Sequence, residues 1–307
     1  MSASGGAKAI VAALLANTGI AVTKFIAFLV SGSSAMLAES VHSVADAGNQ
    51  VLLLLGGRRA RKAADSEHPF GYGRERYIYA FVVAIILFSI GGVFSLYEGV
   101  SKLQEPHPLE NAWLPIVVLL IAIGLESFSL RTAVRESNHV RGTQGWIQFI
   151  RRAKAPELPV VLLEDVAALL GLVFALLGVG LTILTGDSLW DAMGTIMIGV
   201  LLVLVAVVLG LETSSLLVGE GASADDVRAI RRALDEHDSV TSVVHMKTLY
   251  LGPDELLVGA KVSFAPGMSI ERVAAIIDEL EVAVRTAVPI ARVIYIEPGL
   301  ERVSAEV

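Results

Sequence analysis

The sequence predicts an α-helical membrane protein: a six-transmembrane-helix bundle followed by a small C-terminal α+β domain. Three observations predict it. Hydrophobic residues make up 54% of the 307 positions and charged residues only 18%, with a mean hydropathy of +0.67, too apolar for an ordinary soluble domain. Six stretches, at 8–30, 35–57, 76–101, 112–134, 158–184 and 190–217, reach the roughly 20 apolar residues that cross a hydrocarbon core. After about Gly221 the character changes: residues 222–307 carry 14 acidic and nine basic side chains, a net −5 of the chain's −7. The division expected is a transmembrane domain at 1–220 and a cytoplasmic domain at 221–307.

The first stretch follows Lys8 and runs to Val30, too long for the core of a signal peptide, so it reads as a spanning helix. Tyr77 and Tyr79 open the third as interface anchors. Pro159 sits near the start of the fifth, where a first helical turn tolerates it. Leu189-Trp190-Asp191 opens the sixth. Loop charge orients the bundle. Arg58, Arg59, Arg61, Lys62, Arg74 and Arg76 follow the second stretch, and Arg135, Arg141, Arg151, Arg152 and Lys154 follow the fourth. The other connections hold only Lys102. The basic loops, and with six spans both termini, are then cytoplasmic.

In the tail, Ser223-Ala-Asp-Asp starts a helix with acids in its first turn, and Val227, Ile230, Ala233 and Leu234 form its apolar stripe. Strands follow at 240–250 and 255–264 around a Gly252-Pro253-Asp254 turn. A second amphipathic helix at 269–287 carries Ile270, Val273, Ile276, Ile277, Leu280 and Val284, and Arg292–Ile296 is a last strand. The order αββαβ places helices on one face of a sheet.

Function is sought in the charges at membrane depth, which by default mark a site. Glu39, His42, Asp46 and Asn49 lie at i, i+3, i+7 and i+10, within roughly 80° of one another on the second helix. His42 and Asp46, at i and i+4, can hold one ion together. The fifth helix opens with Glu164 and Asp165, which point about 100° apart. Two carboxylates and an imidazole from two helices, with a fourth group, suit zinc and other divalent first-row metals. The chain has no cysteine, which excludes disulfides and thiolate ligands. The structural alternative for these six residues is a hydrogen-bond network between helices. Lys24 and Asn17 share a face of the first helix, with Lys24 expected to pair with a buried acid or to snorkel. Glu98 and Glu126 read as proton-path or interfacial residues.

Ser31-Gly-Ser-Ser-Ala-Met-Leu-Ala-Glu-Ser-Val-His-Ser-Val-Ala-Asp46 resembles the second-helix motif of cation diffusion facilitators, and Asp65-Ser-Glu-His-Pro-Phe-Gly-Tyr-Gly-Arg74 resembles that family's loop signature. Val-Val-Leu-Leu-Glu-Asp-Val-Ala-Ala-Leu-Leu-Gly on the fifth helix resembles the branch related to human zinc transporter nine. The resemblance covers nearly the whole chain. It implies a ferredoxin-like αββαβ tail, a homodimer in the lipid bilayer, and export of a divalent metal ion, usually zinc, against protons. That ion is the transported substrate; no prosthetic group, no enzymatic activity and no nucleic-acid partner are expected.

Many members carry His-x-x-x-Asp on the fifth helix. Here Val161 stands at the histidine position, Asp165 at the aspartate, and Glu164 is the substitute ligand. The more oxygen-rich site leaves manganese, iron or cobalt open beside zinc. Asp65 and His68 match loop positions that bind metal in some members, with Tyr72 in place of a second histidine. In the tail His245 and Glu297 match possible ligands, with Tyr295 in place of another histidine. His237, among Asp235, Glu236 and Asp238, reads as part of a solvated acidic cluster. The transport expected is alternating access. A non-transporting metal sensor signalling through its tail, an intramembrane hydrolase and a passive channel are the rival classes. The hydrolase lacks His-Glu-x-x-His. Composition and the want of a transit peptide point to a bacterial plasma membrane.

Overall fold

The computed structural model describes residues 3–109, 111 and 113–299. They fall into two compact units: the described residues within 1–58 and 76–214, and those within 59–75 and 215–307.

The first unit is helical. Its long helices are α1 (Ala3–Ser31), α2 (Ser34–Arg59), α3 (Glu75–Gln104), α4 (Trp113–Arg141), α6 (Glu157–Thr185) and α7 (Leu189–Val218), with a short α5 (Trp146–Arg152). Helices α3, α4, α6 and α7 are long and apolar enough to cross a membrane, and the described part of α1, Asn17–Ser31, is a shorter apolar helix. Polar side chains lower the mean hydropathy of α2. In the four spans less than half of the most apolar stretch is buried. Outward residues such as Phe128, Leu184 and Leu211 are exposed, a surface suited to hydrocarbon rather than water.

One apolar core joins the helices, from Ala27 of α1 and Met36 of α2 through Leu87, Leu119 and Leu172 to Leu202 of α7. Small residues set the closest approaches. A Cβ on Gly178 would lie 2.8 Å from the Trp190 carbonyl, and one on Gly194 2.9 Å from that of Phe174, so α6 and α7 touch backbone to backbone, as small residues allow in membranes. Mid-span, α3 widens into a π-helical stretch at Leu87–Val93 that includes Gly91 and Gly92. Tyr77 is fully buried and is therefore not an interface anchor: its ring is a core side chain of α3.

The end of the bundle at the α1–α2 turn is tied by polar groups. Asp191, in the first turn of α7, accepts Ser33 Oγ at 2.6 Å, the Ser34 amide at 2.8 Å and Ser34 Oγ at 2.9 Å. An acid from another helix thereby caps α2, satisfying donors a helix start leaves open. Lys102 Nζ donates to the Gly32 carbonyl at 2.8 Å.

The second unit contains α8 (Ala224–Asp235), β1 (Val240–Gly252), β2 (Glu255–Phe264), α9 (Ile270–Ala287) and β3 (Ala291–Pro298), the αββαβ order. The sheet runs β1-β2-β3, with β1–β2 antiparallel and β2–β3 parallel. Ser223 accepts the Asp226 amide and caps α8. Ile230 and Leu234 of α8 and Ile276, Leu280 and Val284 of α9 cover alternate residues of β2 (Leu256, Val258, Ala260, Val262), so one face of the sheet holds the core. Ile270 is 80% exposed: it stands in the first turn of α9, outside the stripe. The loop Arg59–Glu75 belongs to this unit. Gly73 meets Gly252 so closely that a Cβ on Gly73 would lie 2.7 Å from the Leu251 carbonyl.

Candidate metal centre

Helical periodicity puts Glu39, His42 and Asn49 inside the bundle, each at most 1% exposed, with the Asp46 side chain at 17%. Opposite them runs α6. Asn49 Nδ2 donates to Glu164 Oε1 at 2.7 Å, and Glu39 Oε1 abuts Gly171, where a Cβ would be 2.7 Å away. From Asn49 to Glu39 on one helix, and Glu164 to Gly171 on the other, the levels run in opposite directions, so the two helices pack antiparallel. Glu39 consequently lies about 10 Å along the bundle from Glu164, seven residues at ~1.5 Å each.

His42 Nδ1 is 3.5 Å from Asp46 Oδ1. Among the described residues both ring nitrogens of His42, Asp46 Oδ1, Asn49 Oδ1 and Glu39 Oε1 are buried without a hydrogen-bond partner. Such atoms carry a desolvation cost that a ligand would relieve. Glu164 and Asp165 diverge as their spacing requires: Glu164 turns to Asn49, while Asp165 Oδ2 accepts from Ser129 Oγ of α4 at 3.0 Å. A cavity of about 270 Å³ lies between them, lined by Asp46, Glu126, Val161, Glu164, Asp165 and Ser43 among others. At roughly 30 Å³ per water, it has room for a partly hydrated ion. Val161, at the position where a histidine was sought, lines it. Among the described residues no three of His, Asp and Glu converge tightly enough to hold one ion in this conformation; Asp46, Glu164 and Asp165 share a cavity instead.

Glu39 already has a cation. Lys24 Nζ lies 2.9 Å from Glu39 Oε2 and 2.8 Å from Ser43 Oγ, and its side chain is 1% exposed. Asn17 donates to Gln50 at 3.1 Å, and both line the same cavity. Of the two further acids, Glu126 lines the cavity and Glu98 does not.

The loop and tail candidates are arranged differently. Asp65 Oδ1 accepts the amides of Glu67 (3.1 Å) and His68 (2.9 Å), and Oδ2 accepts Lys62 Nζ (2.8 Å) and Tyr72 Oη (2.7 Å). Those four bonds use the carboxylate's lone pairs. The bonds from Lys62 and Tyr72, then that from His68, hold the carboxyl well below the usual carboxylate range. His68 stacks on Tyr72 with ring centres 4.3 Å apart. In the tail, His245 is on β1 and Glu297 on β3, both in register with Lys261 of the middle strand. They are thus two strand spacings, roughly 10 Å, apart. Lys261 Nζ donates to Glu297 Oε1 at 2.7 Å and keeps its carboxyl below the usual range. Tyr295 lies 60% exposed beside them. His237 is no free member of an acidic cluster: Nε2 is 3.1 Å from Glu279 Oε2 on α9, and Nδ1 accepts the Ser239 amide.

Two sets of partners carry no motif in the sequence, one at the centre and one at the end of the bundle. Ser129 sits in a long apolar helix without a motif, and the Ser33-Ser34-Asp191 clamp joins residues 157 positions apart. Asp191, an acid opening an apolar helix, was its one visible sign.

The chain matches the model of the cation efflux transmembrane domain over residues 10–218 and that of the cation efflux protein cytoplasmic domain over residues 222–299. It is 31% identical over 267 residues to the Xenopus laevis protein named proton-coupled zinc antiporter SLC30A9, mitochondrial, covering 86% of this chain and 48% of that one. The Homo sapiens protein of the same name is 30% identical over 262 residues, covering 85% and 46%. Metal tolerance protein C4 of Arabidopsis thaliana is 30% identical over 266 residues, covering 86% and 58%. The chain spans about half the length of these relatives. Two family models matched in chain order, the first over some two thirds of the residues, show that the chain belongs to the cation efflux, or cation diffusion facilitator, family of membrane transport proteins.

Proposed function

We propose that this protein exports a divalent metal ion in exchange for protons. Zinc is the foremost cargo, and manganese, iron or cobalt are the alternatives that an oxygen-rich site admits. The observation that carries this reading is the buried polar face of α2, where His42 and Asp46 keep atoms without hydrogen-bond partners and Asn49 bonds Glu164, with Asp46 and Glu164 lining one cavity. Cargo enters that cavity and is taken by Asp46, Glu164 and Asp165 with His42. Asn49 and Ser129 aim the two acids of α6. Ligands that bind metal must shed protons, so protons arriving from the far side displace the ion. The name carried by the Xenopus laevis and Homo sapiens relatives, proton-coupled zinc antiporter, supports the same exchange.

The architecture proposed is six spans, with α1 and α2 joining the four apolar ones, and a ferredoxin-like tail through which two copies pair. Both termini lie on the cytoplasmic side of a bacterial plasma membrane, as the basic loops and composition indicate. The transmembrane domain is taken as 1–220 and the tail as 221–307. Alternating access between the α2 and α6 walls moves the ion.

Reconstitution into proteoliposomes tests this. Zinc or manganese outside should drive proton movement measured by an enclosed pH dye, and Asp46→Ala should abolish it while the protein remains folded. Undiminished flux in that variant sinks the assignment. Flux that persists without any proton gradient and never saturates points to a channel.

A further inference from the structure

Lys24 is a buried cation within reach of the cargo path, and the transport site does not use it. Its ammonium lies 2.9 Å from Glu39 Oε2 and 2.8 Å from Ser43 Oγ, with the side chain 1% exposed. Glu39 is fully buried, and its other oxygen has no partner among the described residues and faces Gly171. His42, one turn from Glu39 on the same face, has no hydrogen bond to either ring nitrogen among the described residues. Ser43 is shared: it accepts from Lys24 and also lines the cavity that holds Asp46, Glu164 and Asp165. The ammonium therefore stands beside that cavity at Ser43, one to two helical turns from Asp46 along α2. It lies on the side toward the Asp191 clamp.

We propose that this is a second cation position, built from Glu39, Ser43 and the neighbouring His42, an imidazole it would share with the transport site, which the tethered Lys24 ammonium occupies in place of a metal ion. A carboxylate, a hydroxyl and an imidazole are ligands a divalent ion accepts. Without the lysine, a second ion would bind there. With it, the path holds one divalent ion at a time, and the departing ion must pass a fixed positive charge rather than rest in a second well. Lys24 is thus a positioning residue that sets occupancy, and Glu39 is withheld from the cargo.

The inference rests on the transport site proposed above, and its test separates the two. Metal bound per protomer is measured by elemental analysis after equilibration with zinc or manganese, for purified full-length wild type, Lys24→Met, Lys24→Arg, the double variant Lys24→Met/Glu39→Gln, and Asp46→Asn. Lys24→Met should gain one ion per protomer. The double variant should lose that extra ion, and Lys24→Arg should match wild type. A simple loss of packing would not add a bound ion. Wild-type stoichiometry in folded Lys24→Met overturns the inference, as does an extra ion that survives Glu39→Gln. Asp46→Asn binding as much metal as wild type overturns the transport site, and this inference with it. Where Lys24→Met folds poorly because Glu39 is left unpaired, metal should restore its thermal stability more than it raises that of wild type. Failure of both Lys24→Met and Lys24→Gln to fold in saturating metal also overturns it, because a divalent ion then cannot stand in for the ammonium.

Discussion

His42-x-x-x-Asp46 in α2 and Asp65-x-x-His68 in the loop after it pair the same residue types at nearly the same spacing. In α2 both histidine nitrogens and an aspartate oxygen are buried without hydrogen-bond partners among the described residues. In the loop the aspartate accepts four hydrogen bonds, with a lysine and a tyrosine in the positions a metal would claim. The difference is in the neighbours. Burial removes water as a partner, so an unsatisfied acceptor in α2 costs free energy until a ligand arrives. The partly exposed loop aspartate had donors nearby and has used them. An Asp/His motif with lone pairs left over is a candidate binding site, and one whose lone pairs are spent is a structured turn.

The largest expected effect lies on the unsatisfied side. Asp46→Asn keeps the shape and removes a charged ligand; metal-driven proton flux in proteoliposomes should fall by about 100-fold or more, beyond the 10–100-fold typical of residues that only orient a ligand. Asp191→Asn sharpens the contrast within the bundle. Asp191 is as buried as His42, but its oxygens accept three hydrogen bonds from Ser33 and Ser34. Its loss should lower stability by about 2–4 kcal/mol, read from thermal or denaturant unfolding, since hydrogen bonds to a charged group contribute roughly 1.5–3 kcal/mol each. Metal selectivity should stay the same.

Asn49→Ala comes next. Asn49 donates to Glu164, so its loss should weaken metal binding by about 10–100-fold, measured calorimetrically, without changing the number of ions bound. The smallest effect belongs to the loop: Asp65→Asn should alter flux by less than about twofold, as expected of an exposed network. A pH titration probes the same point. Because the Asp65 carboxyl is held low in the folded protein, whatever it contributes to stability is in place above the ordinary carboxylate range and is lost only as pH falls below that range. Carboxyl carbon NMR should show Asp65 still ionised at about pH 4, near the ordinary value. A midpoint at that ordinary value would mean the network is not formed.

Much of the fold was legible because its causes are periodic. Apolar length marked the long helices, and alternation and turn residues marked the αββαβ tail. The α2 face carrying Glu39, His42, Asp46 and Asn49 followed from 100° per residue, and the divergence of Glu164 and Asp165 followed from the same number. Tyr77 was misplaced because hydropathy cannot say whether an aromatic ring at a helix start faces lipid headgroups or its neighbours. Ile270 was misplaced because a helix's first turn overhangs the surface it packs on.

The sequence by itself determined the family, the membrane character, the order of elements in the tail, and which helices carry charge at depth. Each of these is written in local spacing and composition. Only the tertiary structure decided which charges are already answered. Lys24 with Glu39, Lys261 with Glu297, and Asp191 with the start of α2 are matches between elements, not between neighbours in the chain, whereas Lys62 and Tyr72 with Asp65 close a local turn. A hydrogen bond needs its donor within about 3 Å. Over most of these separations, only the packing of one element against another brings the partners that close.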